Sequence, residues 1–170
     1  MNLLETLLGR TPEEYGDLHS AHMLEIYKLY VEMADRWSSR RQSVSSFFLT
    51  VNAGLVALVG YGQLNRGTAS DLEPYLLVGI AGIALCYLWY RTIRSYRDLN
   101  RAKFKVIHEI EKHLPLRPYD AEWTAAGREK DPKLYLPVTR IEMVVPWVFL
   151  GMHGCVVLRA IPWHEFLCGG

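Results

Sequence analysis

In the segment RAKFKVIH, Arg101 and His108 stand seven residues apart, a spacing that places both on one face of a helix, two turns from each other. A guanidinium can hold a phosphate while an imidazole moves the proton of a ribose hydroxyl, so the pair is a candidate for RNA cleavage. The neighbours point to something plainer: Lys103, Lys105, Glu109, Glu111 and Lys112 read as the solvated face of a helix. His19 and His22 share a helical face and His108 and His113 lie close in sequence, but a zinc site needs a further ligand that neither pair finds. No Walker A loop, GxGxxG, zinc constellation or nucleophile elbow occurs. The chain is therefore expected to be no enzyme, with no cofactor and no metal.

The elements that would carry such residues are set by hydropathy. From Val44 to Gln63 there is no Asp, Glu, Lys, Arg or His for 20 residues. At about 1.5 Å per residue a helix of that length crosses the hydrocarbon layer of about 30 Å. PYLLVGIAGIALCYLWY, Pro74 to Tyr90, is uncharged for 17 residues, and MVVPWVFLGMHGCVVL, Met143 to Leu158, carries His153 and Pro146 in an otherwise apolar run. Spans are expected at 44–63, 75–90 and 141–161. Pro146 is expected near the start of the third, where a proline costs few helical hydrogen bonds. Half the chain is hydrophobic, yet the mean hydropathy is only +0.01 because apolar spans alternate with charged segments.

Charge assigns the sides. Five Lys or Arg precede the first span, Arg66 alone separates the first and second, twelve lie between the second and third, and Arg159 stands at the outer end of the third. By the positive-inside rule residues 1–43 and 91–140 are cytoplasmic, while the loop 64–74 and the tail 162–170 are external. The N-terminal MNLLETLLGR has no basic leader region and no small-residue cleavage site, so the first span is expected to be a retained anchor. Leu3, Leu4, Leu7 and Leu8 would form a short amphipathic turn that lies on the membrane surface or packs on a neighbour, and the lack of a basic polar face favours packing. Cys86, Cys155 and Cys168 lack CxxC spacing and suggest no redox site. The net charge of +1 implies no general attraction to nucleic acid, and no direct nucleic-acid binding is expected.

Outside the spans the pattern is also helical. Met23, Ile26, Tyr27, Tyr30, Val31, Ala34 and Trp37 recur at helical spacing, so a helix is expected from about Asp17 into the first span. A second should run from Tyr75 to His113 and stop at Pro115. Trp37, Tyr30, Tyr96 and Phe104 are more rings than one helix pair would bury, and helices of neighbouring subunits are expected to cover them. Residues 116–137, rich in proline, read as an irregular lobe with at most a short helix around Ala121 to Ala126.

The spans carry two further features. Ser46, Thr50, Ala53, Ala57 and Gly60 fall on one face of the first, and Gly79, Gly82 and Cys86 on one face of the second, and small faces let helices approach closely in lipid. That packing is either within a protomer or between protomers. Asn52 and His153 come at similar depth in the first and third spans, where they either bond to each other or line an aqueous path.

Three blocks, EIYKLYVEMADRWSSRRQSVSSFFLTVNAGLVAL, YRTIRSYRDLNRAKFKVIHEIEKHLP and YLPVTRIEMVVPWVF, resemble the RipA-type family of small bacterial octameric membrane proteins, which includes the accessory membrane-pore protein of type VI-B CRISPR systems. The resemblance covers about Glu25 to Phe149, and its most specific blocks are Tyr27 to Asn52 and Asn100 to Pro115. It implies an octamer around a central axis in the inner membrane, with a cytoplasmic vestibule and a pore. The expected fold is an all-α integral membrane protein with three transmembrane helices extended into the cytoplasm, homo-oligomeric. The expected function is an oligomeric pore that alters membrane permeability in stress response or antiphage defence. The alternative is a non-conducting scaffold that recruits a cytoplasmic protein or RNA-guided effector through residues 91–140. The spacing of Arg101 and His108 is similar to the motif of HEPN-type ribonucleases, which makes a membrane-bound ribonuclease the third reading.

Overall fold

The structure, a computed structural model, describes residues 3–65, 73–129 and 138–161. The expected external loop and tail lie largely outside these residues, as do Lys130 to Pro137 of the expected lobe. Every element among the described residues is helical: α1 (Leu3–Leu7), α2 (Pro12–Tyr15), α3 (His19–Asn65), α4 (Glu73–Glu111), α5 (Pro118–Ala125), a short 3-10 turn (Gly127–Glu129) and α6 (Val138–Ala160). Three of them, α3, α4 and α6, are long and apolar enough to cross a membrane.

The lengths follow from the chain itself. At 47 and 39 residues, α3 and α4 are about 70 Å and 58 Å long, more than twice a bilayer core for the first. No proline interrupts either beyond its first turn. α4 ends by tightening: the amides of Lys112, His113 and Leu114 donate to the carbonyls three residues back, and Pro115 then blocks continuation. α2 opens with a capping box in which Thr11 and Glu14 satisfy each other's amides. Pro146 falls inside α6, because that helix begins at Val138. The expectation that this proline sits near a helix start is corrected: its ring replaces one hydrogen bond well within the helix.

Two compact units emerge, Met1–Arg41 with Ser95–Pro137, and Gln42–Arg94 with Val138–Gly170. The second is built on heptad seams. Gly79, Gly82, Cys86, Trp89 and Ile93 of α4 are buried at alternating intervals of three and four, facing Asn52 and Val59 of α3 and Pro146, His153 and Ala160 of α6, each set seven apart. A seven-residue seam is the spacing of left-handed helix packing, in membranes as in water. Aromatic rings fill it, with Trp89 between Phe48 at 6.0 Å and Phe149 at 6.2 Å, and Tyr90 against Trp147 at 5.4 Å.

In the first unit, Ala34 of α3 and Ile107 and Ile110 of α4 are buried. The rings expected to be covered by neighbouring subunits also find partners within their own chain, which leaves each of them half-buried. Trp37 lies 4.8 Å from Tyr96, the Lys103 ammonium stands over Tyr30 and Trp37, and Phe104 meets Tyr119 of α5 at 5.5 Å. The part of the lobe that is described is thus an ordered cover for α4, and α5 begins at Pro118, three residues before the short helix anticipated there.

Candidate functional site

Membrane-depth chemistry centres on α3, α4 and α6. Asn52 and His153 are both fully buried. The amide oxygen of Asn52 accepts from His153 Nε2 at 3.1 Å and from the Cys86 thiol at 3.2 Å, while its Nδ2 donates to the Phe48 carbonyl at 2.8 Å. One oxygen with two lone pairs therefore joins three helices. An acceptor at Asn52 requires the proton on Nε2, and His153 Nδ1 has no partner among the described residues. That nitrogen packs on Gly82.

Gly82 makes this possible. A methyl group there would lie 2.3 Å from His153 Nδ1 and 2.4 Å from Cε1, so only glycine admits the ring. One turn away, a methyl on Gly79 would stand 2.6 Å from Val157 Cγ2 and 3.4 Å from the His153 carbonyl. Gly79 and Gly82 therefore serve packing inside the protomer. Ser46, Thr50, Ala53, Ala57 and Gly60 differ: all five are exposed on the protomer, and Thr50 turns its hydroxyl back onto the Ser46 carbonyl. Of the two arrangements open for Asn52 and His153, the geometry is that of a hydrogen bond between helices, with neither side chain reaching the surface of the protomer. Asn52→Leu is expected to destabilise the protein by about 0.6 to 2 kcal/mol, the range for interhelical hydrogen bonds. Flux per assembled particle should stay unchanged, and a loss of flux at constant stoichiometry would place Asn52 on a conducting path.

The first unit holds a buried carboxylate. Glu111, taken from sequence as part of a solvated face, is fully buried. Its Oε1 accepts from the Tyr27 hydroxyl and the Tyr119 amide, both at 2.9 Å, and its Oε2 from the Asp120 amide at 3.0 Å. Arg117, which precedes α5, makes no side-chain cap. Glu111 replaces it, setting a negative charge at the positive end of α5. Burial, then the Glu111 hydrogen bond, raises the Tyr27 phenol well above its usual range; burial likewise raises that of Tyr119. The sequence signal for this role is the placement of a carboxylate at the last residue of α4, just before a Pro-rich turn into a new helix that lacks its own cap.

Of the expected catalytic pair, His108 borders the Glu111 network. Arg101 is exposed, and about 10 Å of helix separates it from His108. His108 Nδ1 lies 3.5 Å from Glu111 Oε2, and its ring rests near Phe104. His19 and His22 flank the Tyr15 ring, and His22 Nδ1 bonds the Tyr15 hydroxyl at 2.7 Å. No group of three metal-ligating side chains forms among the described residues.

A family model described as the octameric membrane protein family (8xMP) matches residues 24–162. No curated protein and no solved structure compared with the chain matches it.

Proposed function

The chain belongs to the octameric membrane protein family, and from that premise we propose that it assembles as an inner-membrane pore that alters membrane permeability, in stress response or antiphage defence. The observation that carries this reading is the stripe Ser46, Thr50, Ala53, Ala57 and Gly60, which runs along a spanning helix and which no helix among the described residues buries. Small residues in that position favour close approach of a second copy. Eight copies closed about one axis enclose a central space, and small or polar side chains facing it would keep it wet, whereas apolar constrictions dewet.

The test uses the reconstituted oligomer. The wild-type protein should carry ion flux or admit a small dye, and Ala53→Leu with Ala57→Leu should lower particle size and flux together while insertion continues, since leucine is as lipophilic as alanine or more so. An intact octamer without flux would exclude the pore. It would leave the scaffold, which the exposure of Leu116 at 77% favours as a contact for a cytoplasmic partner. In neither reading does the Arg101 and His108 pair carry out a reaction.

Orientation rests on the charge count, with twelve cations in residues 91–140. A reporter fused at Gly127 should register cytoplasm, and one after Gly170 periplasm. A cytoplasmic signal from both would reverse the reading of the third span.

A further inference from the structure

The first unit contains a cavity of about 360 Å³ that none of the roles above uses. One wall is apolar: Leu4, Leu7 and Leu8 of the N-terminal turn face Met23 and Ile26 of α3 and Ile110 of α4. The leucine turn thus shares a cavity with α3 and α4 of its own chain. Arg10, His19, His22 and His113 complete the lining, together with Tyr15, and among the described side chains no carboxylate lines the cavity.

We infer that this cavity binds a free single-chain fatty carboxylate, its chain against the leucine wall and its head group at Arg10 and the three imidazoles. The charge pattern selects an anion, because the polar part of the described lining is a permanent cation with imidazole and phenol N–H and O–H donors beside it. The apolar part selects a hydrocarbon chain, and its extent selects one chain over two: the volume lies near the lower end of the range of about 300 to 1,000 Å³ for small-molecule sites. The arrangement brings the N-terminal turn, α3 and the end of α4 onto one ligand, so occupancy would hold these three segments together. This inference is independent of whether the oligomer conducts.

The experiment uses the full-length oligomer in an amphipathic polymer with a photoreactive dodecanoate, followed by peptide mapping. Label should appear within residues 4–26 and 107–113, and competition by unlabelled octanoate, decanoate and dodecanoate should strengthen by about fourfold per methylene as more chain is buried. Dodecanol should compete much less well. Arg10→Ala, at an exposed position where folding is not at stake, should weaken labelling about tenfold through loss of a charge-assisted contact. Ile26→Trp, which fills the cavity, should abolish it. Both variants should leave label on the lipid-facing spans unchanged, which separates the cavity from simple partition into an apolar phase. Label confined to the spans, including the case in which a neighbouring copy covers the cavity, overturns the inference. So does cavity labelling that is insensitive to Arg10→Ala and competed equally by dodecanol.

Discussion

Gly82→Ala is expected to disrupt the second unit more than the same change at Gly54, Gly60, Gly79, Gly151 or Gly154. The added carbon would lie within 2.5 Å of three atoms of the His153 ring, and the ring cannot retreat without releasing Asn52. Overpacking of this kind costs about 1 to 3 kcal/mol, and loss of the interhelical hydrogen bond adds about 0.6 kcal/mol or more. A fall in unfolding midpoint in a denaturing detergent series, equivalent to about 2 to 4 kcal/mol, is the expected reading. Gly79→Ala should do less, because its closest contact is the terminal methyl of Val157, which can rotate. Combining Gly82→Ala with His153→Ala should restore part of the loss, since the methyl then enters vacated space and the two changes couple. An unchanged midpoint for Gly82→Ala alone would mean that α4 and α6 are not in this contact.

Glu111→Ala is the counterpart in the first unit. Its removal leaves the Tyr119 and Asp120 amides and the Tyr27 hydroxyl without their acceptor, and hydrogen bonds to a charged group contribute about 1.5 to 3 kcal/mol each where water does not replace them. Water can reach part of this site, so a loss of about 3 kcal/mol is expected, read as rapid proteolytic cleavage between residues 115 and 129 with membrane insertion intact. Glu111→Gln should lose less, since it keeps the shape and one acceptor. Tyr27→Phe should cost about 1 kcal/mol. The phenol's raised pKa fixes the sign of the pH response: the stabilisation from the Tyr27 proton is complete below its ordinary value of 10.0 and is lost as pH rises above that. Equal protease resistance of Glu111→Ala and wild type would exclude the carboxylate as the cap of α5.

Several of these features have different standing in the sequence. The leucine turn, the apolar stripe of Met23 and Ile26 and the uncharged runs all show as periodicity, because a helix repeats its environment every few residues. The three uncharged runs fall in α3, α4 and α6, and continuous helical spacing carried the first two far beyond the length a bilayer needs. Glu111 was misread for the same reason: a charge among Lys103, Lys105, Glu109 and Lys112 looks solvated until a second helix is laid over it. Phe104 meets Tyr119, which arrives from the same chain across a Pro-rich turn that periodicity along α4 does not show.

By itself, then, the sequence determined the helical class, the three apolar segments and the polar residues held among them, since composition and period act locally and each segment reports its own. The tertiary structure alone decided which of the small faces was used: Gly79 and Gly82 received the His153 side of α6, whereas Ser46, Thr50, Ala53, Ala57 and Gly60 were left uncovered. It also decided that Asn52, Cys86 and His153, separated by 34 and 101 residues from the asparagine, meet at one oxygen. The physical reason is that a hydrogen bond or a missing methyl group is specific only to the atom opposite it. Which atom lies opposite depends on the rotation and register of packed helices, and no window along one chain segment contains that information.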